Sequence, residues 1–248
     1  MGTLINVLAI VGGGLVGLVA GKFLNSRFQK TISLAMGLSI IALAISGFVA
    51  EMLDIAELSD ATGTKFDITT KGTYIIIASL VLGGIIGELI DIESQMERLG
   101  TWLKMKTGNA KDLAFVDGFV TASLTVCIGA MAVLGAIMDG VSGDHTLLIT
   151  KSILDFVIIM VMTSSMGRGC LFSAIPVGIW QGSITLLAKA LEPIMTDAAL
   201  SNLGLVGNIL IFCIGINIII EGRGRIKVAN LMPAIIIAVA AAYVPFLQ

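Results

Sequence analysis

The sequence is short of charge. Asp, Glu, Lys and Arg together make up 13% of its 248 residues, about half the roughly 25% of a soluble globular domain, and a water-facing surface is hard to build from so few. Histidine occurs once, at His145, and proline four times. The three cysteines, Cys127, Cys170 and Cys213, form no CxxC pair, and each lies in or beside an apolar stretch. An odd number so placed argues against a disulfide scaffold and against a zinc or thioredoxin-like centre. No basic block follows a nucleic-acid backbone. Gly12-Gly13-Gly14 lacks the Lys-Ser or Lys-Thr of a phosphate loop and sits inside an apolar run, and neither a serine elbow nor an H-E-x-x-H pair occurs. The expectation is therefore no catalytic residue, no cofactor and no resident metal, in a protein that is not an enzyme.

What is present is apolar. Hydrophobic residues make up 56% of the chain, with 29 glycines and 12 methionines, and the mean hydropathy is +1.02. Apolar stretches fall at about 3–24, 30–52, 72–91, 112–138, 147–166, 170–189, 202–220 and 228–247. Each is near the roughly 20 residues that cross about 30 Å of hydrocarbon, and backbone at that depth must satisfy its own hydrogen bonds, which selects helices. The fold class expected is all-α, a polytopic integral membrane protein of about eight transmembrane helices forming a single membrane domain over 1–248. No Lys or Arg precedes the first stretch, no A-x-A site ends it, and Lys22, Arg27 and Lys30 follow it, as in a retained helix.

The basic residues alternate with the linkers. Lys22, Arg27, Lys30, Arg98, Lys104, Lys106, Lys111, Arg168, Arg223, Arg225 and Lys227 follow segments 1, 3, 5 and 7, leaving Lys65, Lys71, Lys151 and Lys189 on the other side. The positive-inside rule then puts both termini outside the cytoplasm. Two connections are longer. The outer one, 53–71, carries Asp54, Glu57, Asp60, Lys65 and Asp67 around a turn at Ala61-Thr62-Gly63. In the inner one, 92–111, Ile92, Met96, Leu99 and Leu103 recur at helical spacing, the pattern of an interfacial amphipathic helix. Segment 4 is long enough to tilt or break near Cys127-Ile128-Gly129-Ala130, and segments 5 and 6 are joined by only Gly167-Arg168-Gly169.

Polar groups inside these segments are the candidates for function, because an ionisable side chain costs roughly 2.5–3.5 kcal/mol at a helix centre and so must face protein or water. Asp117 is followed at helical spacing by Thr121 and Thr125, and Asp155 lies four residues from Lys151, so that pair shares a face. Glu88, Asn217 and Gln181 complete the candidate path for a substrate or ion, with Arg168 a further member of an inner cluster around Glu88, Asp117 and Asn217. For every one of them, pairing between helices is the alternative. Thr163 through Gly169 reads as an anion-binding loop or as a tight inner turn carrying one positive charge. Asp139, Asp144 and His145 share an outer turn and read as a surface turn rather than a metal site.

An offset of seventy residues aligns Gly2-Thr3 with Gly72-Thr73, Ile5 with Ile75, and Gly13, Gly14 and Gly17 with Gly83, Gly84 and Gly87. This gives candidate repeat-like halves of the N-terminal region at 2–50 and 72–138; close-packing glycine faces explain the same echo more simply.

Several stretches taken together carry a family likeness. They are Gly2-Thr3-Leu4-Ile5-Asn6, Gly83-Gly84-Ile85-Ile86-Gly87-Glu88, Phe115-Val116-Asp117-Gly118-Phe119-Val120-Thr121-Ala122-Ser123, Gly135 through Asp139-Gly140, Ser142-Gly143-Asp144-His145, Gln181-Gly182-Ser183-Ile184-Thr185 and Ala229-Asn230-Leu231-Met232-Pro233-Ala234. With these the chain resembles the bacterial membrane-protein family catalogued as domain of unknown function 554. The resemblance implies a multi-pass protein of the bacterial inner (cytoplasmic) membrane and carries over no substrate or catalytic residue. The expected activity is that of a transporter or permease for a small polar solute or ion, with the lipid bilayer as partner and a homo-oligomer, such as a homodimer, as a further one. The competing reading is a non-transporting scaffold, sensor or regulatory protein.

Overall fold

The computed structural model describes residues 1–60, 63–220 and 224–244. Ala61 and Thr62 of the expected outer turn, and Arg223, lie outside the described residues. Helix α1 (Gly2–Gly21) and α2 (Ser26–Met52) open the chain, and the Asn25 side chain caps α2 by accepting from the Arg27 and Phe28 amides. The connection that follows was expected as a polar linker, but its backbone pairs as an antiparallel hairpin, β1 (Leu53–Asp60) and β2 (Gly63–Thr70), with Leu53 opposite Thr70. The sequence Phe66-Asp67-Ile68-Thr69-Thr70 is rich in residues that favour strands, which outweighs its charge. Among the described residues the fold is thus all-α apart from this hairpin.

Next come α3 (Thr73–Ile90), α4 (Ile92–Lys106), α5 (Phe115–Cys127), α6 (Ala130–Val141) and α7 (Thr146–Met166). A 3-10 segment, Arg168–Ser173, leads into α8 (Ala174–Leu186); then follow α9 (Ala188–Leu191), α10 (Asp197–Ile219), α11 (Val228–Leu231) and α12 (Pro233–Ala241). Among the described residues six helical segments are long and apolar enough to cross a membrane, and seven if α5 and α6 form one crossing bent by 62°. The eighth expected segment is the shorter apolar helix Val228–Ala241, interrupted where Pro233 begins α12.

Two ends of the bundle are defined by contacts. At one, Arg168 bonds Asn109, Arg225 bonds Asp117 and Lys227 bonds Glu88; this basic end also holds α4, which lies there as a helix. At the other, the Gly2 amide donates to Asp139, Gly140 abuts Thr185 and Ala188, and the Tyr243 hydroxyl donates to the Ile194 carbonyl. The first and last described residues are therefore at the same end. Phe115 packs beside Gly169 at the basic end, while Asp139 sits at the opposite one. The α5–α6 pair thus runs from one end of the bundle to the other with a 62° bend at its break.

Backbone-to-backbone approach holds the helices together. A Cβ added at Gly13 or Gly17 would lie 2.3 Å from the Phe156 or Met160 carbonyl oxygen of α7, so α1 and α7 run parallel in close contact. Added at Gly83 or Gly87 it would meet Ala234 or Asn230, so α3 lies antiparallel to the α11–α12 segment. The echoed glycines therefore seat against different partners in opposite senses, and close approach explains their shared spacing; a repeat is not defined by it. Buried residues concentrate on α5, including Phe115, Phe119, Leu124 and Val126, packed against Ile10, Met162, Leu210 and Ile214. By contrast only Gly37, Ile40 and Ala44 of α2 are buried. α5 is the central element, and it is the one that breaks.

Candidate functional site

The break lies at Ile128-Gly129. Ile128 is extended (φ −81°, ψ 129°), and Gly129 has φ 140° and ψ 147°, a conformation open to glycine and strained for other residues. A side chain on Gly129 would meet nothing within 4 Å, so conformation rather than crowding requires glycine here. Any helix end leaves carbonyls or amides without in-helix partners. Here the end of α5 and the start of α6 present both kinds inside the bundle, beside Gly207 of α10.

Next to the break is a buried polar network. Lys151 and Asp155 are one turn apart on α7, and the Lys151 ammonium donates to both carboxylate oxygens at 2.8 and 2.6 Å. The Asn6 amide on α1 donates to Asp155 Oδ2 at 3.0 Å and to Gln181 Oε1 of α8 at 3.1 Å. Asn6 and Gln181 are fully buried, and Asp155 and Lys151 are 3% and 7% exposed; a charge in such an interior persists only when paired and hydrogen-bonded. Cys127, the last residue of α5, is within electrostatic reach of both charges. Among the described residues two atoms of the network, Asn6 Oδ1 and Gln181 Nε2, find no hydrogen-bond partner.

At the basic end a cavity of ≈ 200 Å³ is lined by Asp117, Thr121 and Leu124 of α5, Ile214 and Asn217 of α10, Asp91, Glu93 and Glu97 around α4, and Arg225 and Lys227. A second cavity of ≈ 160 Å³ shares Asp117, Thr121, Asn217 and Arg225 with it. Along α5 the lining passes from Asp117 through Thr121 to Leu124, polar at the mouth and apolar in depth. Asp117 is paired with Arg225 at 2.8 Å, and both side chains keep substantial exposure. Asn217 clasps Ile226 through two bonds, its amide donating to the carbonyl and its oxygen accepting from the N–H. Glu88 accepts from Lys227 and from the Asn230 amide. The hydrogen bond from Lys227 to Glu88 holds the ammonium above its ordinary value. Glu93 accepts from the Ala229 amide while its own N–H donates to Asn230 Oδ1, a reciprocal clasp of α4 on α11. Burial raises the Glu93 carboxyl above the usual range, against that hydrogen bond.

The sequence-derived candidates thus separate into two groups. Asp155 and Gln181 meet through Asn6; Asp117, Thr121 and Asn217 line the cavity, with Glu88 at its rim behind Lys227. Arg168 does not join them: it bonds Asn109 beside a separate groove. The hydroxyls of Ser164 and Ser165 donate to carbonyls of α7 itself, which favours the tight-turn reading of that stretch. Asp139 pairs with His145 Nδ1 at 2.5 Å, but Asp144 accepts from the Thr146 amide instead; among the described residues no three His, Cys, Asp or Glu side chains group to hold a metal. Sequence reasoning passed over Asn6, whose signal was an amide in an otherwise apolar run, and Arg225, which it read only as an orientation charge.

Comparison with known proteins extends over nearly the whole length. The family model described as "Protein of unknown function (DUF554)" matches residues 1–243. The chain is 29% identical over 236 residues to "Uncharacterized membrane protein YdfK" of Bacillus subtilis (strain 168), covering 95% of this chain and 93% of that protein. It is 24% identical over 242 residues to "Uncharacterized protein YqgA" of Escherichia coli (strain K12), covering 96% and 94%. No solved structure matches the chain significantly.

Proposed function

The chain belongs to the DUF554 family of proteins of unknown function, and from that footing we propose that it is a small transporter or permease of the bacterial cytoplasmic membrane, moving a small polar solute or ion. The observation that carries this reading is the broken α5–α6 crossing, with a buried Lys151–Asp155–Asn6–Gln181 network beside it. Interrupted helices near mid-membrane, with polar side chains gathered at the interruption, are a recurrent way of building a solute or ion site. The cavity at the basic end serves as the cytoplasmic vestibule, with Asp117, Thr121 and Asn217 at its mouth and Leu124 and Ile214 as its apolar closure. In this reading the segment from Val228 completes an eighth crossing, both termini are outside, and the protein acts singly or as a homodimer. No catalytic step is assigned to it.

A second reading, a scaffold or sensor, draws support from the rim charges. Asp117, Glu88 and Lys227 are all paired, and α4 leaves Trp102 and Met105 exposed.

Solute screening in proteoliposomes tests the proposal. Flux of at least one small polar solute or ion is expected, abolished by Asp155→Asn and reduced severalfold by Asp117→Asn. If neither substitution alters any flux, the site assignment is wrong; if nothing is transported, the scaffold reading replaces it.

A further inference from the structure

Two atoms of the network are left over once its hydrogen bonds between helices are made. Asn6 and Gln181 are fully buried, and among the described residues Asn6 Oδ1 and Gln181 Nε2 find no partner. A buried polar atom without a partner is costly, and amide orientation does not remove the problem. Asp155, paired with Lys151, accepts hydrogen bonds, so the nitrogen of Asn6 must face it; that same nitrogen then requires the oxygen of Gln181. Turning either amide would set like atom against like. One acceptor and one donor are therefore left over on neighbouring side chains, already joined to each other at 3.1 Å.

The charge beside them is balanced, because Lys151 and Asp155 cancel. An added cation would meet the Lys151 ammonium and an added anion the Asp155 carboxylate, in an interior where unpaired charge is strongly disfavoured. A group that is uncharged and carries a donor and an acceptor on one carbon, as a primary amide does, satisfies both leftover atoms without disturbing the balance. We propose that Asn6 and Gln181 form the recognition pair for a small uncharged solute of the amide class. This rests on the transport reading for its physiological meaning, but binding can be measured without transport.

The test uses the full chain purified in detergent, with acetamide as probe and acetate and methylammonium as its charged counterparts. Readouts are the thermal unfolding midpoint and the fluorescence of Trp180, the neighbour of Gln181, in a Trp102→Phe background. Acetamide is expected to raise the midpoint and change the fluorescence saturably, and the two ions to do neither. Gln181→Met keeps the length of the side chain and removes the leftover donor. It also removes the oxygen that accepts from the Asn6 amide, so it is expected to lower the unliganded midpoint slightly and to weaken the acetamide response at least tenfold. Asn6→Met is the companion variant, with the same loss of response. An equal response to acetate or methylammonium, an undiminished response in Gln181→Met, or no response to any probe would overturn the proposal. Failure of the two readings is distinguishable. Acetamide binding that depends on Gln181, without flux of any solute in proteoliposomes, removes the transport reading and leaves the site. Flux that persists in Gln181→Met and is indifferent to acetamide removes the site and leaves transport.

Discussion

Lys151 and Asp155 are held together by two bonds of 2.8 and 2.6 Å and stay almost wholly out of solvent. Removing one member of such a pair strands the other, which costs about 3–5 kcal/mol, whereas replacing both by apolar groups of similar volume is often neutral or better. Asp155→Asn should accordingly lower the unfolding midpoint of the detergent-solubilised protein markedly. The double variant Lys151→Met/Asp155→Leu should recover stability while remaining inactive in flux assays. A double variant as unstable as the single one would show that the pair is a structural requirement and nothing more. The pair itself is legible in the sequence, because positions four apart share a helix face. Its partners are not: Asn6 and Gln181 lie on helices separated from it in sequence, and only tertiary packing brings three helices to one point. Asp117 is the converse case. It reads as a charge inside an apolar segment, but α5 begins at Phe115, so Asp117 sits in the first turn at the basic end, where Arg225 reaches it.

Among elements, the glycines divide sharply by what surrounds them. A Cβ at Gly87 would fall 1.7 Å from the Asn230 carbonyl oxygen, and one at Gly182 would meet nothing within 4 Å. Overpacking a tight contact costs about 1–3 kcal/mol, while Gly to Ala in an uncrowded helix gains up to about 1 kcal/mol. Gly87→Ala is expected to lower the unfolding midpoint by several degrees and Gly182→Ala to leave it unchanged or raise it, read by thermal unfolding in one detergent. Equal effects would mean that α3 does not depend on backbone contact with α11. The glycine spacing announced close approach; it could not name the partner, which is why one spacing serves a parallel contact in α1 and an antiparallel one in α3. The break in α5–α6 was legible for a local reason, since the segment is longer than one straight crossing needs and has Gly129 near its middle. The hairpin at 53–70 was not, because its charges mask a strand pattern that depends on the pairing of two runs.

For the whole molecule, the contacts sort the linkers into two ends, and the basic residues collect at one of them. Orientation follows if that end faces the cytoplasm. With Cys127, Cys170 and Cys213 replaced by alanine, a cysteine at Asp144 should react with an impermeant maleimide on intact cells, and cysteines at Lys104 and Lys111 only after lysis. The reverse pattern would invert the vestibule, placing the Asp117 cavity on the outer face.

The parallel contact of α1 with α7 joins α1 to a helix completed more than a hundred residues later. During synthesis α1 must wait in the lipid, and Asn6 waits with it, as an amide whose exposure to lipid is milder than that of a full charge. α7 faces the harder passage, since it carries both charges of the network. Because Lys151 and Asp155 are on the same helix one turn apart, the segment can enter the bilayer with its own counterion already in place, before any other helix arrives to receive it.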